Sequence, residues 1–150
     1  MTFSWKLLLD RIPTRINIAR RNIFPPDTSI TRVLRDWDVR SSYHLFLYCD
    51  VARGVCHSLM CWLEFSFITS LNLFVHLKCW SNVVSNEKLC KGFWIIWKVS
   101  IWEIWNARNW RVINNEVKER EETVEEVKLL SLRWYLTRLR VPICLYCEWC

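Results

Sequence analysis

The chain has 150 residues, 52% of them hydrophobic, and a formal net charge of +6. That length allows one domain, or a small domain with a helical tail, and the apolar content supports a buried core and argues against wholesale disorder. Two glycines and four prolines are too few for a many-turned β-sandwich or barrel and suit long helices instead.

In chain order, residues 3 to 10 (FSWKLLLD) read as a helix stopped by Pro13, and Thr14 to Asn22 as a second short helix ended by Pro25 and Pro26. Residues 27 to 43 are polar and loop-like. Leu45, Tyr48, Ala52, Val55, Leu59 and Leu63 recur at three- and four-residue steps, which predicts a helix from Tyr43 to Leu63. The β-branched content of 65 to 70 leaves that connection ambiguous. Residues 87 to 110 read as the longest helix, with one stripe through Trp94, Trp97, Ile101, Ile104, Trp105 and Arg108, widened by Phe93, Ile96 and Val99. A core role is the expected one for this aromatic stripe. The last helix, about 114 to 139, is charged on most faces. Val117, Val124, Val127 and Leu130 give it a narrow apolar seam, and Glu116 and Arg120 stand four apart. Such a helix is laid against a core or seeks a partner.

Charge is unevenly spread. Arg11, Arg15, Arg20, Arg21, Arg32, Arg35 and Arg40 lie in the first forty residues, with Asp10, Asp27, Asp36 and Asp38 as the acidic residues there. The basic end is the candidate nucleic-acid face, with Arg11, Arg15, Arg20 and Arg21 as phosphate contacts and Trp5 and Trp37 as stacking faces. Eight cysteines point to disulfides in a secreted protein, but the start MTFSWKLLLDR has no signal-peptide pattern and no Asn-x-Ser/Thr acceptor occurs. The expectation is reduced thiols and an intracellular location, nuclear or cytoplasmic. GFWIIWKVSIWEIW (92 to 105) is too short and too charged to span a bilayer.

Chemistry is sparse. No Tyr-x-Asp-Asp pair, no spaced carboxylate set and no phosphate-cradling glycine loop is present, so no catalytic residue is assigned and an enzyme is not expected. Cys56 beside His57 offers a nucleophile and a base in name only, because neighbours on a helix point apart. His44 and Cys49 have the spacing of the second half of a zinc knuckle. His44, Cys49, His57 and Cys61 form an alternative ligand set, and Cys144, Cys147 and Cys150 a weaker one.

Three runs, FSWKLLLDRIPTRINIARRNI, SSYHLFLYCDVARGV and GFWIIWKVSIWEIWNARN, come in an order and spacing that carry a resemblance. Their residues are Trp5, Leu7 and Leu8; Arg11 to Thr14, Asn17, Ile18 and Arg21; His44 and Cys49; and Ile104, Trp105, Arg108 and Asn109. Over about residues 3 to 115 the chain resembles the zinc-binding region of plant LINE-type (non-LTR) retrotransposon reverse transcriptases. In that family a Cys-x2-Cys-x7-9-His-x4-Cys knuckle lies between the arginine-rich helix and the Trp-rich helix. Counting back from His44 puts the first two ligands at Arg32 and Arg35. Guanidiniums donate no lone pair and repel a dication, so the resemblance implies a zinc half-site, His44 and Cys49, that stays empty.

The expected fold is therefore mainly α: a small helical domain around a degenerate zinc-knuckle loop, then a Trp-rich core helix and a charged helix. The expected organisation is 1–63 as the degenerate zinc-binding region, 64–113 as a Trp-rich helical region and 114–150 as a charged helix with a Cys-rich tail. The resemblance implies a non-catalytic remnant with no cofactor, weak binding to RNA or single-stranded DNA and no membrane partner. The competing readings are a helical protein-interaction module using exposed tryptophans and the 114–139 helix, and a translated fragment without function.

Overall fold

A computed structural model describes residues 3–21, 42–66, 72–82 and 85–139, and the protein is mainly α: every regular element among those residues is helical. The helices are α1 (Phe3–Leu8), α2 (Arg15–Arg20), α3 (Asp50–Trp62), α4 (Leu73–Ser81), α5 (Glu87–Asn114) and α6 (Arg120–Leu139), with a π-helical turn at His44–Tyr48 ahead of α3. None of them is long and apolar enough to cross a membrane.

Helix α1 ends in a Schellman turn. The Arg11 and Asp10 amides reach back to the carbonyls of Lys6 and Leu7, and Asp10 takes φ 51°. Helix α3 ends the same way, with Phe65 and Glu64 reaching Met60 and Cys61 and Glu64 at φ 55°. Glycine normally takes this left-handed position, so an aspartate and a glutamate there carry backbone strain. Asn115, at φ 58°, closes α5, a position that asparagine tolerates better.

Helices α5 and α6 form an antiparallel pair across which the central layer is built. Trp97, Val99, Ile96 and Ile101 from α5 meet Val124 and Val127 from α6 in one continuous cluster with Ala52, Val55 and Leu59 of α3 and Leu73 and Trp80 of α4. Helix α1 joins through Phe3, whose ring is edge-on to Trp102 at 5.2 Å and tilted on Trp105 at 5.8 Å. Where α3 passes α6, Gly54 admits the stem of Arg120: a Cβ there would lie 2.9 Å from its Cδ.

Three sequence expectations are corrected, and one helix is added. The 43–63 helix is interrupted: Leu45, Phe46 and Leu47 are all buried, and the wide turn that places three successive side chains inward closes at Cys49, whose extended backbone starts α3 afresh. Helix α4 falls where no helix was expected. Trp94 stands partly in solvent while Ile95 beside it is buried. The charged helix starts at Arg120 rather than 114, so Val117 sits in the non-helical connection and is exposed; its buried face is Val124, Val127, Leu132 and Leu136. Arg120 accordingly pairs with Glu121, at 2.7 Å, instead of bridging to Glu116 along one helix.

Candidate nucleic-acid interface

The arginines of the basic end are carried on a corner whose polar residues are used internally. Thr14 Oγ1 accepts from the Asn17 amide at 3.2 Å, which caps α2. Asn17, buried, turns its Nδ2 on the carbonyls of Asp10 at 2.7 Å and Ile12 at 3.0 Å, locking α1 to α2. Ser42 Oγ donates to the Asp10 carboxylate, tying the entry of the later helices to the same corner. Ile12 and Thr14 are buried as well. The Ile12, Thr14 and Asn17 elements of the sequence motif are thus scaffold.

What that corner presents to solvent is charge. Arg11, Arg20 and Arg21 are exposed. Arg21 Nη2 donates to the Arg11 carbonyl at 3.1 Å, and Arg20 Nη1 lies 3.5 Å from Asp10. A guanidinium has five N–H donors, so one contact leaves the others for phosphate oxygens. The Arg20–Asp10 pair is exposed and worth little. Arg15 belongs to α2, but its side chain lies outside the described residues.

Beside α1 lies an aromatic cleft of about 350 Å³, lined by Trp5, Phe74, Trp94, Trp97 and Lys98. Trp5 and Phe74 are each about half exposed. Lys98 Nζ sits 4.6 Å from the Trp94 ring centroid. Burial lowers the Lys98 pKa, and Arg138 lowers it further. Aromatic faces edged by cations are the chemistry of single-strand binding. Phe74 and the cleft wall were not legible as a site because they depend on α4.

The metal half-site takes an unforeseen form. His44 opens the π-helical turn and Cys49 closes it; the Cys49 amide donates to the His44 carbonyl at 2.8 Å. The His44 ring faces Tyr48 at 6.3 Å. His57 and Cys61 do meet, with Cys61 Sγ 3.9 Å from His57 Nδ1. Among the described residues, however, no three His, Cys, Asp or Glu side chains group as a metal site would need, so the alternative set of His44, Cys49, His57 and Cys61 is not assembled. Arg32, Arg35, Trp37, Cys144, Cys147 and Cys150 lie outside the described residues. With two guanidiniums at the first two ligand positions, the donor set of the resemblance does not fit a structural zinc. Cys56 packs on the core, where burial pushes its thiol up to about 12, so at neutral pH it is no nucleophile. His57 points to solvent.

Comparison of the chain with protein-family models, with curated proteins and with solved structures gives no match in any of the three.

Proposed function

We propose that this chain is a non-catalytic nucleic-acid-binding remnant of a retrotransposon reverse-transcriptase zinc-binding region, one whose zinc site is lost. The observation that carries this reading is the α1–α2 corner. Its buried Thr14 and Asn17 hold the motif together, and its outer face offers Arg11, Arg20 and Arg21 to phosphates. The aromatic cleft containing Trp5 and Trp94 supplies stacking surface next to α1. Phosphate contacts give affinity without sequence preference, so binding is weak, nonspecific and salt-sensitive.

The test is a salt titration of fluorescent oligo(U) and oligo(dT) binding. Each lost phosphate contact removes roughly 0.7 from the log–log slope on single strands, so Arg11, Arg15, Arg20 and Arg21 together changed to alanine flatten it by about 2 to 3. Affinity that ignores salt, or that survives the fourfold substitution, refutes the proposal.

A further inference from the structure

The last turns of α5, the connection 115–119 and α6 as far as Arg133 form a cleft of about 850 Å³. Its chemistry runs against that of the chain. The whole protein carries +6, yet this lining holds four carboxylates, Glu103, Glu116, Glu122 and Glu126, against two cations, Lys118 and Arg133. Lys118 is ion-paired with Glu126. At the floor is Glu103, only 7% exposed, with the Asn106 Nδ2 donating to its carboxylate at 3.4 Å. Burial raises the Glu103 pKa and Glu126 raises it further, against the opposing pull of Asn106 and Lys118. One lysine among these carboxylates leaves the floor short of positive charge.

The mouth is apolar. Ile113 is 78% exposed, Val117 65% and Trp110 51%, and Leu129 faces the same cleft from α6. A single exposed leucine is ordinary, but large apolar side chains gathered on one concave surface and edged by charge mark a binding site. Phosphates are repelled by the carboxylates, which excludes nucleic acid here. A small amine would satisfy the floor and leave Ile113 and Val117 in water.

We propose that this cleft docks a basic, amphipathic peptide segment of another protein, with its apolar side chains on Ile113, Val117 and Leu129 and an arginine or lysine directed at Glu103, Glu122 and Glu126. Charge complementarity selects the partner, and the apolar mouth supplies area that electrostatics alone lacks. The incoming cation offsets the repulsion between Glu103 and Glu126. This gives the interaction-module reading of the 114–139 region a definite surface, and it is independent of nucleic-acid binding at the other site.

The probe is a fluorescein-labelled peptide of fourteen residues, designed as a helix with one leucine face and one arginine face, measured by anisotropy with the full chain. Two controls replace its arginines by glutamate or its leucines by alanine. Binding of the parent peptide alone is expected. It weakens at least about tenfold with Glu116→Lys plus Glu122→Lys, and similarly with Ile113→Ser plus Val117→Ser. All four residues are exposed, so the melting temperature stays close to that of the parent and reports that these variants fold. No binding, binding to either cleft variant as tight as to the parent protein, or binding of either control peptide equal to that of the parent peptide overturns the proposal. So does a salt-sensitive oligomer of the chain itself that the same substitutions abolish, since a second copy would then be the occupant.

Discussion

Trp97 Nε1 donates to His76 Nδ1 at 3.1 Å and fastens the middle of α5 to the middle of α4 inside the core. Trp80 Nε1 also approaches the ring, at 3.3 Å from Nε2. A neutral imidazole has one acceptor nitrogen and an indole N–H only donates, so the ring accepts from one tryptophan at a time. The shorter contact places the lone pair on Nδ1. An imidazolium has no acceptor at all and would face both indoles with like groups.

Burial accordingly lowers the His76 pKa from 6.5 to about 4. Because the unfolded chain takes up a proton that the folded one refuses, stability falls as pH drops from 6.5 toward about 4 and levels off below. The full effect is about 3 kcal/mol. His76→Gln keeps an acceptor for Trp97 without the titration. Its urea-unfolding free energy is expected to lack the acid limb that the parent shows over that pH range. An unchanged acid limb in the variant would assign the acid sensitivity to another group.

The same pair shows what was legible in the sequence and what was not. The stripe through Trp97, Ile101, Ile104 and Trp105 was readable because α5 keeps one period over many turns, so its buried set follows from spacing. Helix α4 has only nine residues, rich in large apolar side chains, and a short apolar run does not separate helix from strand. Its signals were nonetheless present: Asn72 caps it, accepting from the Phe74 amide at 2.7 Å, and Leu73, His76, Leu77 and Trp80 keep helical spacing. The break at Cys49 had no such signal, since neither glycine nor proline marks it. The acidic cleft was hidden for another reason. Glu103 and Glu126 are far apart in sequence and meet only when α6 folds back on α5.

Two left-handed residues respond differently to glycine. Glu64→Gly removes a side chain from φ 55° and is expected to stabilise the protein by about 1 kcal/mol. Asp10→Gly relieves the same strain at φ 51° but deletes the carboxylate that takes the Ser42 hydroxyl and, at 3.2 Å, the Asn17 amide. It therefore gains nothing or loses about 1 kcal/mol. Thermal melts of the two variants side by side check the contrast, and equal stabilisation would show that the Asp10 contacts carry no net weight.

Glu103 gives the opposite pH signature from His76. Its raised pKa means that the folded chain holds a proton the unfolded one has released, so stability declines as pH climbs from the ordinary carboxylate value through the folded one. The groups facing it are Asn106 on its own helix, Lys118 in the connection and Glu126 on α6. Glu103→Gln cannot ionise and can still donate toward Glu126. Its melting temperature is expected to exceed that of the parent at pH 7 and to match it at pH 4. A variant that melts lower at pH 7 would show that the charged carboxylate is favoured in the fold.

The zinc half-site yields the sharpest test of the proposed ancestry. With arginine at positions 32 and 35, purified protein is expected to carry no stoichiometric zinc, which elemental analysis checks directly. Arg32→Cys together with Arg35→Cys would make the segment read Cys-x2-Cys-x8-His-x4-Cys, ending in the existing His44 and Cys49. Either change alone leaves three ligands beside a guanidinium that repels the ion, so only the double variant should take up zinc. Closing such a site is worth on the order of 10 kcal/mol in small zinc modules at neutral pH, because metal binding there is folding free energy. A fraction of that is enough for a zinc-dependent rise in melting temperature that a chelator reverses. The His44 imidazole and the Cys49 thiolate must then meet across the turn whose ends are joined by the Cys49 amide and the His44 carbonyl. A double variant that takes up no zinc, or takes it up without a thermal shift, would place the loss beyond the two ligands or show that the resemblance does not hold through this segment.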